Sequence, residues 1–192
     1  MDKCQENDIL EITHAICEKR KKMRELVDNY DYSSRRFQIP HSCLDQIDDA
    51  NVAISDYANL DWVKLDIGIK YLCVHGLFQM LFIQQDAMRT LRKEMELTDG
   101  DDEEIKKKMD EIRKIRNDVT GHPTDRGNGK KCYGICRSSL YYSKWNLTIL
   151  GTDCREDRTG GLEEHNLYNI VKTQCECVLS ILSDIIDLGC ST

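Results

Sequence analysis

The clearest candidate for chemistry in this sequence is an arginine followed six positions later by a histidine, Arg116 and His122. In a helix that turns by roughly 100° per residue, Arg116 lies on the same apolar stripe as Ile105 and Ile112. A guanidinium stays charged at ordinary pH, so at such a position it needs an anion, a carboxylate or an opening to solvent. His122 comes directly after Gly121, where the negative end of the helix dipole favours a protonated imidazole.

An arginine and a histidine near one helix end can act together on a phosphodiester. The imidazole can move the proton of a ribose 2′-hydroxyl or of the leaving oxygen, and the guanidinium can stabilise the extra negative charge of the pentacoordinate transition state. Such a reaction needs no metal, and the sequence has no carboxylate cluster with evident metal-site spacing. The alternative is a structural Arg116 that reaches solvent or pairs with a carboxylate such as Asp86 on another helix.

The charges of the chain are unevenly distributed. With 27 basic and 34 acidic residues its net charge is −7, which argues against a protein that coats nucleic acid over its whole surface. Residues 105–144 nevertheless contain 11 Lys or Arg and 4 acids, a net charge of +7, which leaves −14 for the rest of the chain. This pattern indicates a localised phosphate-binding surface. A flexible loop that needs charge for solubility is the alternative.

Composition and periodicity together predict one helical domain. The 192 residues are 40% hydrophobic and 32% charged with 2 prolines, which excludes disordered, collagen-like and membrane proteins and favours long helices. Apolar spacing predicts helices over 5–29, 43–59, 62–97, 102–120 and 162–188, a loop over 31–42, and two short strands within 132–150. The predicted fold is all-α: an up-and-down bundle of four to five helices, residues 1–192, with a small β-hairpin insertion at about 124–161 before the last helix.

The predicted helix over 62–97 is the longest periodic stretch and must pack on several sides. Gly76 would let a neighbouring helix approach it closely. The polar cluster Gln84-Gln85-Asp86 follows an apolar run. We expect these side chains to turn outward to water, although they could instead line a site.

Ten cysteines raise the question of disulfides or metal. The N-terminus has no apolar stretch that could serve as a signal peptide, and the most apolar stretch, 77–83, is shorter than a membrane span. We therefore expect a cytoplasmic protein with reduced thiols and no membrane contact. The pairs Cys132/Cys136 and Cys175/Cys177 lack the CxxC spacing of structural zinc, so we predict no metal and no cofactor, and cysteines that act as small hydrophobes.

The stretch Arg116-Asn117-Asp118-Val119-Thr120-Gly121-His122-Pro123 resembles the motif of the HEPN superfamily, an Arg, usually a polar residue, and a His after four to six intervening positions. The resemblance implies a helical bundle that commonly dimerises, with the motifs of two chains facing each other. It implies metal-independent endoribonuclease activity, as found in toxin–antitoxin and phage-defence systems. Arg116 and His122 would be catalytic, and Asn117 would orient or assist.

The sequence therefore leads to one hypothesis with two alternatives. The first is a cytoplasmic homodimer that cleaves RNA by 2′-hydroxyl attack without metal, with an antitoxin or other regulatory protein as a further partner implied by the resemblance. Its RNA backbone would be held by basic residues: Arg126, Lys130, Lys131 and Arg137. The alternatives are a non-catalytic RNA- or protein-binding module, and a structural helical subunit that binds no RNA even at low salt.

Overall fold

The computed structural model describes residues 2–29, 38–95, 103–121, 131–153 and 161–189, and this part of the chain is mainly helical. It contains five α-helices: α1 (Asp2–Asn29), α2 (Gln38–Asn59), α3 (Ile67–Glu94), α4 (Glu103–Arg116) and α5 (Leu167–Gly189). Three strands form one sheet: β1 (Lys131–Ile135), β2 (Asn146–Asp153) and β3 (Leu162–Asn166). Short 3₁₀-helices cover Trp62–Lys64 and Arg137–Leu140, and a π-helical segment, Asn117–Gly121, continues α4.

The core lies between α1, α2, α3 and α5. Helix α2 packs against both α1 and α3, and α1 packs against α5. Helix α4 contacts α3 and α5. Apolar residues at three- and four-residue spacing face this interior and are fully buried: Ile9, Ile16 and Met23 of α1, Leu44 and Ile47 of α2, Phe78 and Met88 of α3, and Val178 and Leu182 of α5. The helical periodicity in the sequence therefore corresponds to one shared core.

Helix α2 begins at Gln38, five residues before the predicted start, so the expectation of a loop through residue 42 is wrong for its last part. Pro40 lies in the first turn of the helix, where a proline is tolerated because the missing N–H would have no intrahelical partner.

Helix α3 is long and apolar enough to cross a membrane by length and composition alone. The expectation that the most apolar stretch is too short for a span considered only residues 77–83, whereas the helix runs over 28 residues. In the folded chain α3 packs against α2, α4 and α5, as the central helix of a bundle does.

The insertion is a three-stranded antiparallel sheet in the order β1-β2-β3, and the prediction of a hairpin is corrected in this respect. Residues 162–166, predicted as the first turn of the last helix, pair with β2 as strand β3. The strand ends where the Asn166 side chain caps the next helix, with the Asn169 backbone N–H donating to Asn166 Oδ1 at 3.0 Å. This local cap explains why α5 begins at Leu167.

Lys144 and Trp145 attach the sheet to the bundle. Lys144 Nζ donates to the backbone oxygens of Ala58 and, at 3.0 Å, of Leu60, at the end of α2, and pairs with Glu6 of α1 at 2.7 Å. Trp145 is buried, as are the inward-facing side chains of β2. These contacts hold the sheet to α1 and to the end of α2, and β1 packs against the π-helical segment.

Candidate functional site

Helices α3 and α4 are joined by three arginine contacts whose residue numbers run in opposite directions, so the two helices are antiparallel. The contacts are Arg89 Nη2 to Asp110 Oδ1 at 2.8 Å, Arg113 Nη2 to Asp86 Oδ1 at 2.6 Å, and Arg116 Nη2 to Gln79 Oε1 at 2.8 Å. Two of these arginines are matched by a carboxylate and the third is matched by an amide. The difference singles out the end of α4 that carries the Arg-His motif.

Arg116 has only neutral acceptors within the described part of the chain. Its Nη2 donates to Gln79, and its Nη1 donates to Asn117 Oδ1 at 3.0 Å. The expected alternative partner, Asp86, is instead taken by Arg113. The positive charge of Arg116 is thus held in place without being neutralised by a carboxylate of these residues, which suits it to meet an anion.

The ring of Phe82 in α3 packs against this guanidinium. The Cζ of Arg116 lies 4.3 Å from the Phe82 ring centroid, and the Cζ of Arg113 lies 4.5 Å from it. Such contacts orient a guanidinium plane as well as stabilising it. Arg116 Nε is buried and makes no hydrogen bond to any described residue. Of the five N–H donors on a guanidinium, only two are therefore used by these partners.

The motif continues α4 as a π-helix, and the prediction of one helix to Thr120 is corrected in this respect. Thr120 Oγ1 donates to the backbone oxygen of Arg116 at 2.9 Å across the widened turn. Asp118, which an α-helix would turn away from the apolar stripe, is only 6% exposed because β1 packs on this segment. π-Helical turns are rare and occur frequently at functional sites.

Gly121 is the last residue of the π-helical segment and lies against the Arg116 guanidinium. A Cβ at this position would lie 3.0 Å from Arg116 Nη1 and 3.0 Å from Asn117 Oδ1. Those two atoms are hydrogen-bonded to each other, so neither can move without changing the other. Glycine at 121 therefore permits the observed position of Arg116.

We expect Gly121→Ala to shift the Arg116 guanidinium by a few tenths of an ångström, and to lower by about tenfold the rate of any RNA cleavage in which Arg116 takes part, because small misplacements of catalytic groups are costly. Gly68→Ala is the matched control, since a Cβ there meets nothing within 4 Å. It should leave cleavage unchanged. Equal cleavage rates for both variants and the wild type, measured on one labelled RNA, would contradict this role of Gly121.

A network of buried amides lies under the arginines. Gln85 Nε2 donates to Gln174 Oε1 at 2.8 Å, and Gln174 Nε2 donates to Gln84 Oε1 at 3.1 Å. Gln85 Oε1 accepts from Arg113 Nε at 3.2 Å. The expectation that Gln84 and Gln85 face water is wrong: both are fully buried. Their amides are largely satisfied by α5 and α4, which removes much of the cost of burial.

The structure brings Arg116 and Asn117 together but describes only part of the predicted site. His122, Arg126 and Lys130 lie outside the described residues. Lys131 and Arg137 are exposed and lie near opposite ends of β1, up to roughly 20 Å apart at the rise of an extended strand. These two residues could contact only separate positions along an RNA.

Sequence reasoning did not single out Gln79, Phe82 and Arg113, which hold Arg116 in place. Gln79 and Phe82 are three residues apart and so share a face of α3, a weak signal that was available in the sequence. Their partnership with α4 depends on how two helices pair in space, which local spacing does not encode.

One described imidazole also lies near the π-helical segment. His165 of β3 is half-buried, and burial lowers the pKa of its imidazole, while the negative charges of Glu163 and Asp118 act in the opposite direction. The pKa of His165 below its usual range favours the neutral ring near neutral pH.

The buried cysteines behave as apolar side chains. Burial raises the pKa of Cys43 to about 11 and that of Cys175 to about 12, so both thiols stay protonated at neutral pH. Among the residues that the structure describes, no three His, Cys, Asp or Glu side chains are grouped closely enough to hold a metal ion.

Comparison with protein-family models, with curated proteins and with solved structures finds no match to this chain. Its function is therefore inferred from the residues and their geometry.

Proposed function

We propose that this protein is a metal-independent endoribonuclease of the HEPN type, built as an up-and-down helical bundle and active in the cytoplasm. Its site is formed across a homodimer. The observation that carries the proposal is the arrangement of Arg116, which is hydrogen-bonded only to amide oxygens of described residues and stacked on Phe82. A guanidinium oriented in this way, with N–H donors to spare, suits a phosphate group.

The reaction is an internal displacement at phosphorus. The ribose 2′-oxygen attacks the adjacent phosphorus and the bond to the 5′-oxygen breaks, which leaves a 2′,3′-cyclic phosphate and a 5′-hydroxyl. The 2′-hydroxyl loses its proton and the leaving 5′-oxygen gains one; His122 carries out one of these two transfers and water carries out the other. Arg116 stabilises the extra negative charge on the phosphoryl oxygens in the transition state.

Asn117 positions the Arg116 guanidinium in this reaction. Its Oδ1 accepts from Arg116, so the amide group can present its two N–H donors to the substrate. Four basic residues, Arg126, Lys130, Lys131 and Arg137, attract the RNA backbone and make binding sensitive to salt. A place in a toxin–antitoxin or phage-defence system, with an antitoxin or other regulatory protein, belongs to the same proposal through the resemblance.

The second candidate is a non-catalytic RNA- or protein-binding module. It is favoured by the fact that the hydrogen bonds of Arg116 join α3 to α4, as a structural tie would. In that case the wild type binds RNA without cleaving it, and the main effect of Arg116→Ala is a loss of stability of the fold.

The test is cleavage of total RNA in excess EDTA by the wild type and His122→Ala, followed on a gel. The wild type should cleave, and the variant should lose cleavage with an unchanged circular dichroism spectrum. His14→Ala, at an exposed position of α1, is the matched control and should cleave like the wild type. Undiminished cleavage by His122→Ala, or intact RNA with the wild type, would refute the proposal.

A further inference from the structure

Two tyrosines are exposed to solvent directly after the 3₁₀-helix Arg137–Leu140. Tyr142 is 88% exposed, more than any other large apolar side chain of the described residues, and Tyr141 is 50% exposed. Their ring centroids lie 6.4 Å apart with the planes inclined at 61°, which is an edge-to-face contact. We call these two rings the tyrosine pair. It adds little to the core, and its ring faces are open to a ligand.

The turn that carries the tyrosine pair is anchored on both sides. Leu140 is buried, and its backbone oxygen accepts a hydrogen bond from Trp62 Nε1 at 2.9 Å. Lys144 is buried as well, and its backbone oxygen accepts a hydrogen bond from the Tyr57 hydroxyl at 2.6 Å. Only the two rings and one serine lie between these anchors. The pair is therefore presented on a short, fixed segment, which reduces the conformational entropy lost when a ligand binds.

The segment around the tyrosine pair is basic. Residues 126–152 contain five Lys or Arg and no Asp or Glu, in a chain with 34 acidic residues. One of the five, Lys144, is neutralised by Glu6. Arg137 begins the 3₁₀-helix that leads to the pair and is exposed, and no carboxylate of the described residues forms an ion pair with it. Four residues of such a helix rise by about 8 Å, so the guanidinium lies within side-chain reach of the rings.

We propose that the tyrosine pair is a stacking site for an unpaired base of single-stranded RNA, and that Arg137 holds a phosphate of the same strand. The inference rests on the proposed function and adds a binding position away from the cleavage site. A base can stack on Tyr142 only when it is free of its neighbours in a duplex, whose bases cover one another's faces. Every base has a flat aromatic face, so such a site accepts unpaired bases with little preference for sequence.

The tyrosine pair and Arg116 lie at different points along α3. Arg116 is hydrogen-bonded to Gln79. Tyr71, one of the residues nearer the start of α3, donates through its hydroxyl to the backbone oxygen of Ile135 at 3.5 Å, shortly before the 3₁₀-helix that leads to the pair. The eight residues from 71 to 79 correspond to a rise of about 12 Å in an α-helix. The base that stacks on the pair therefore belongs to a different nucleotide from the one that is cleaved.

The side chains around the rings favour RNA over a protein partner. Apart from the tyrosine pair and the buried Leu140, residues 137–144 are three serines and two basic residues. Hydroxyl and guanidinium groups are typical donors to phosphate and sugar oxygens, whereas the core of a protein interface is largely apolar. Asp61, in the connection that packs here through its neighbour Trp62, is paired with Lys64 at 2.5 Å, so its negative charge is balanced.

The test is the affinity of the whole chain for a short, unstructured, 2′-O-methylated single-stranded RNA, measured by fluorescence anisotropy. Tyr142→Ala should weaken binding by about fivefold to 100-fold, the usual loss when one stacked base loses its aromatic partner. Tyr142→Phe keeps the ring and should bind like the wild type, whereas Tyr142→Leu is apolar without a ring and should bind like Tyr142→Ala. Val52→Ala, at a 57% exposed position of α2, is the control and should bind like the wild type.

Two further measurements separate the ring from the charge. Arg137→Ala should make the plot of log affinity against log salt shallower by about 0.7, the value for one phosphate of a single strand, and Tyr142→Ala should leave the slope unchanged. A 2′-O-methylated duplex of the same sequence should bind equally to the wild type and Tyr142→Ala.

Four results would overturn the stacking site: wild-type affinity for the single strand in Tyr142→Ala, wild-type affinity in Tyr142→Leu, an equal loss with the duplex, or no binding of RNA by the wild type. The last result would favour a protein partner at these rings. An unchanged salt slope for Arg137→Ala would overturn the contact of Arg137 with phosphate.

Cleavage measured on the same preparations distinguishes this inference from the proposed function. If the wild type cleaves RNA and Tyr142→Ala binds as tightly as the wild type, only the stacking site is overturned. If binding depends on Tyr142 as expected and RNA stays intact, the stacking site is supported and only the ribonuclease is overturned.

Discussion

Replacing Arg116 by alanine is expected to lower the rate of RNA cleavage by about 10² to 10³, the usual reduction when one donor to a transition-state oxyanion is removed. The chain should remain folded. The substitution removes hydrogen bonds to Gln79 and Asn117 and the stacking on Phe82, together worth about 2–4 kcal/mol. Typical domains have about 5–15 kcal/mol of stability.

Two further variants show whether this effect belongs to the guanidinium. Arg116→Lys keeps a charge but not the planar fork of donors, so it should recover only a small part of the rate. Arg89→Ala removes another arginine of the same helix pair, whose ion pair with Asp110 is about half exposed. It should leave cleavage unchanged. A folded Arg116→Ala protein that cleaves at the wild-type rate would exclude a catalytic role.

Replacing Gln174 by alanine is expected to lower the free energy of unfolding by about 3–5 kcal/mol. The substitution empties a fully buried position in α5, removes the partner of Gln84 Oε1, and removes one of the two partners of Gln85 Nε2, which keeps its bond to the Met109 backbone oxygen. Leaving buried amide groups without partners costs the full desolvation of those groups, which adds to the cost of the cavity. Urea unfolding followed by circular dichroism measures the change.

Gln46→Ala is the matched control for Gln174→Ala. Gln46 is exposed on α2, so its removal should change stability by less than about 0.5 kcal/mol. If Gln174→Ala costs less than about 1 kcal/mol, the buried amide network does not hold α3, α4 and α5 together as described.

The helices were predictable because their burial pattern is periodic in the sequence. α1, α4 and α5 bury one stripe each and α3 buries a broader face, and apolar residues at three- and four-residue spacing indicate a helix whatever its neighbours are. The position of Arg116 on the apolar stripe of α4 followed from the same arithmetic, and the structure places its guanidinium against Phe82 of α3.

The remaining features depend on contacts that local sequence does not contain. Gln84 and Gln85 look like surface residues until Gln174, about ninety residues later, supplies their hydrogen bonds. β3 looks like the start of a helix until β2 pairs with it. Asp118 turns inward because β1 packs against a π-helical turn. In each case contacts with an element distant in the sequence determine the burial or the secondary structure of the residues.

The most direct test of the account is whether the Arg116 guanidinium contacts an RNA phosphate. The measurement is binding of a 2′-O-methylated single-stranded RNA, which cannot be cleaved by its own 2′-oxygen, at several salt concentrations. Arg116→Ala should bind more weakly than the wild type, and its plot of log affinity against log salt should be shallower by about 0.7 for each phosphate that it no longer neutralises. Arg89→Ala should match the wild type. An identical affinity and salt slope for Arg116→Ala and the wild type would contradict the account.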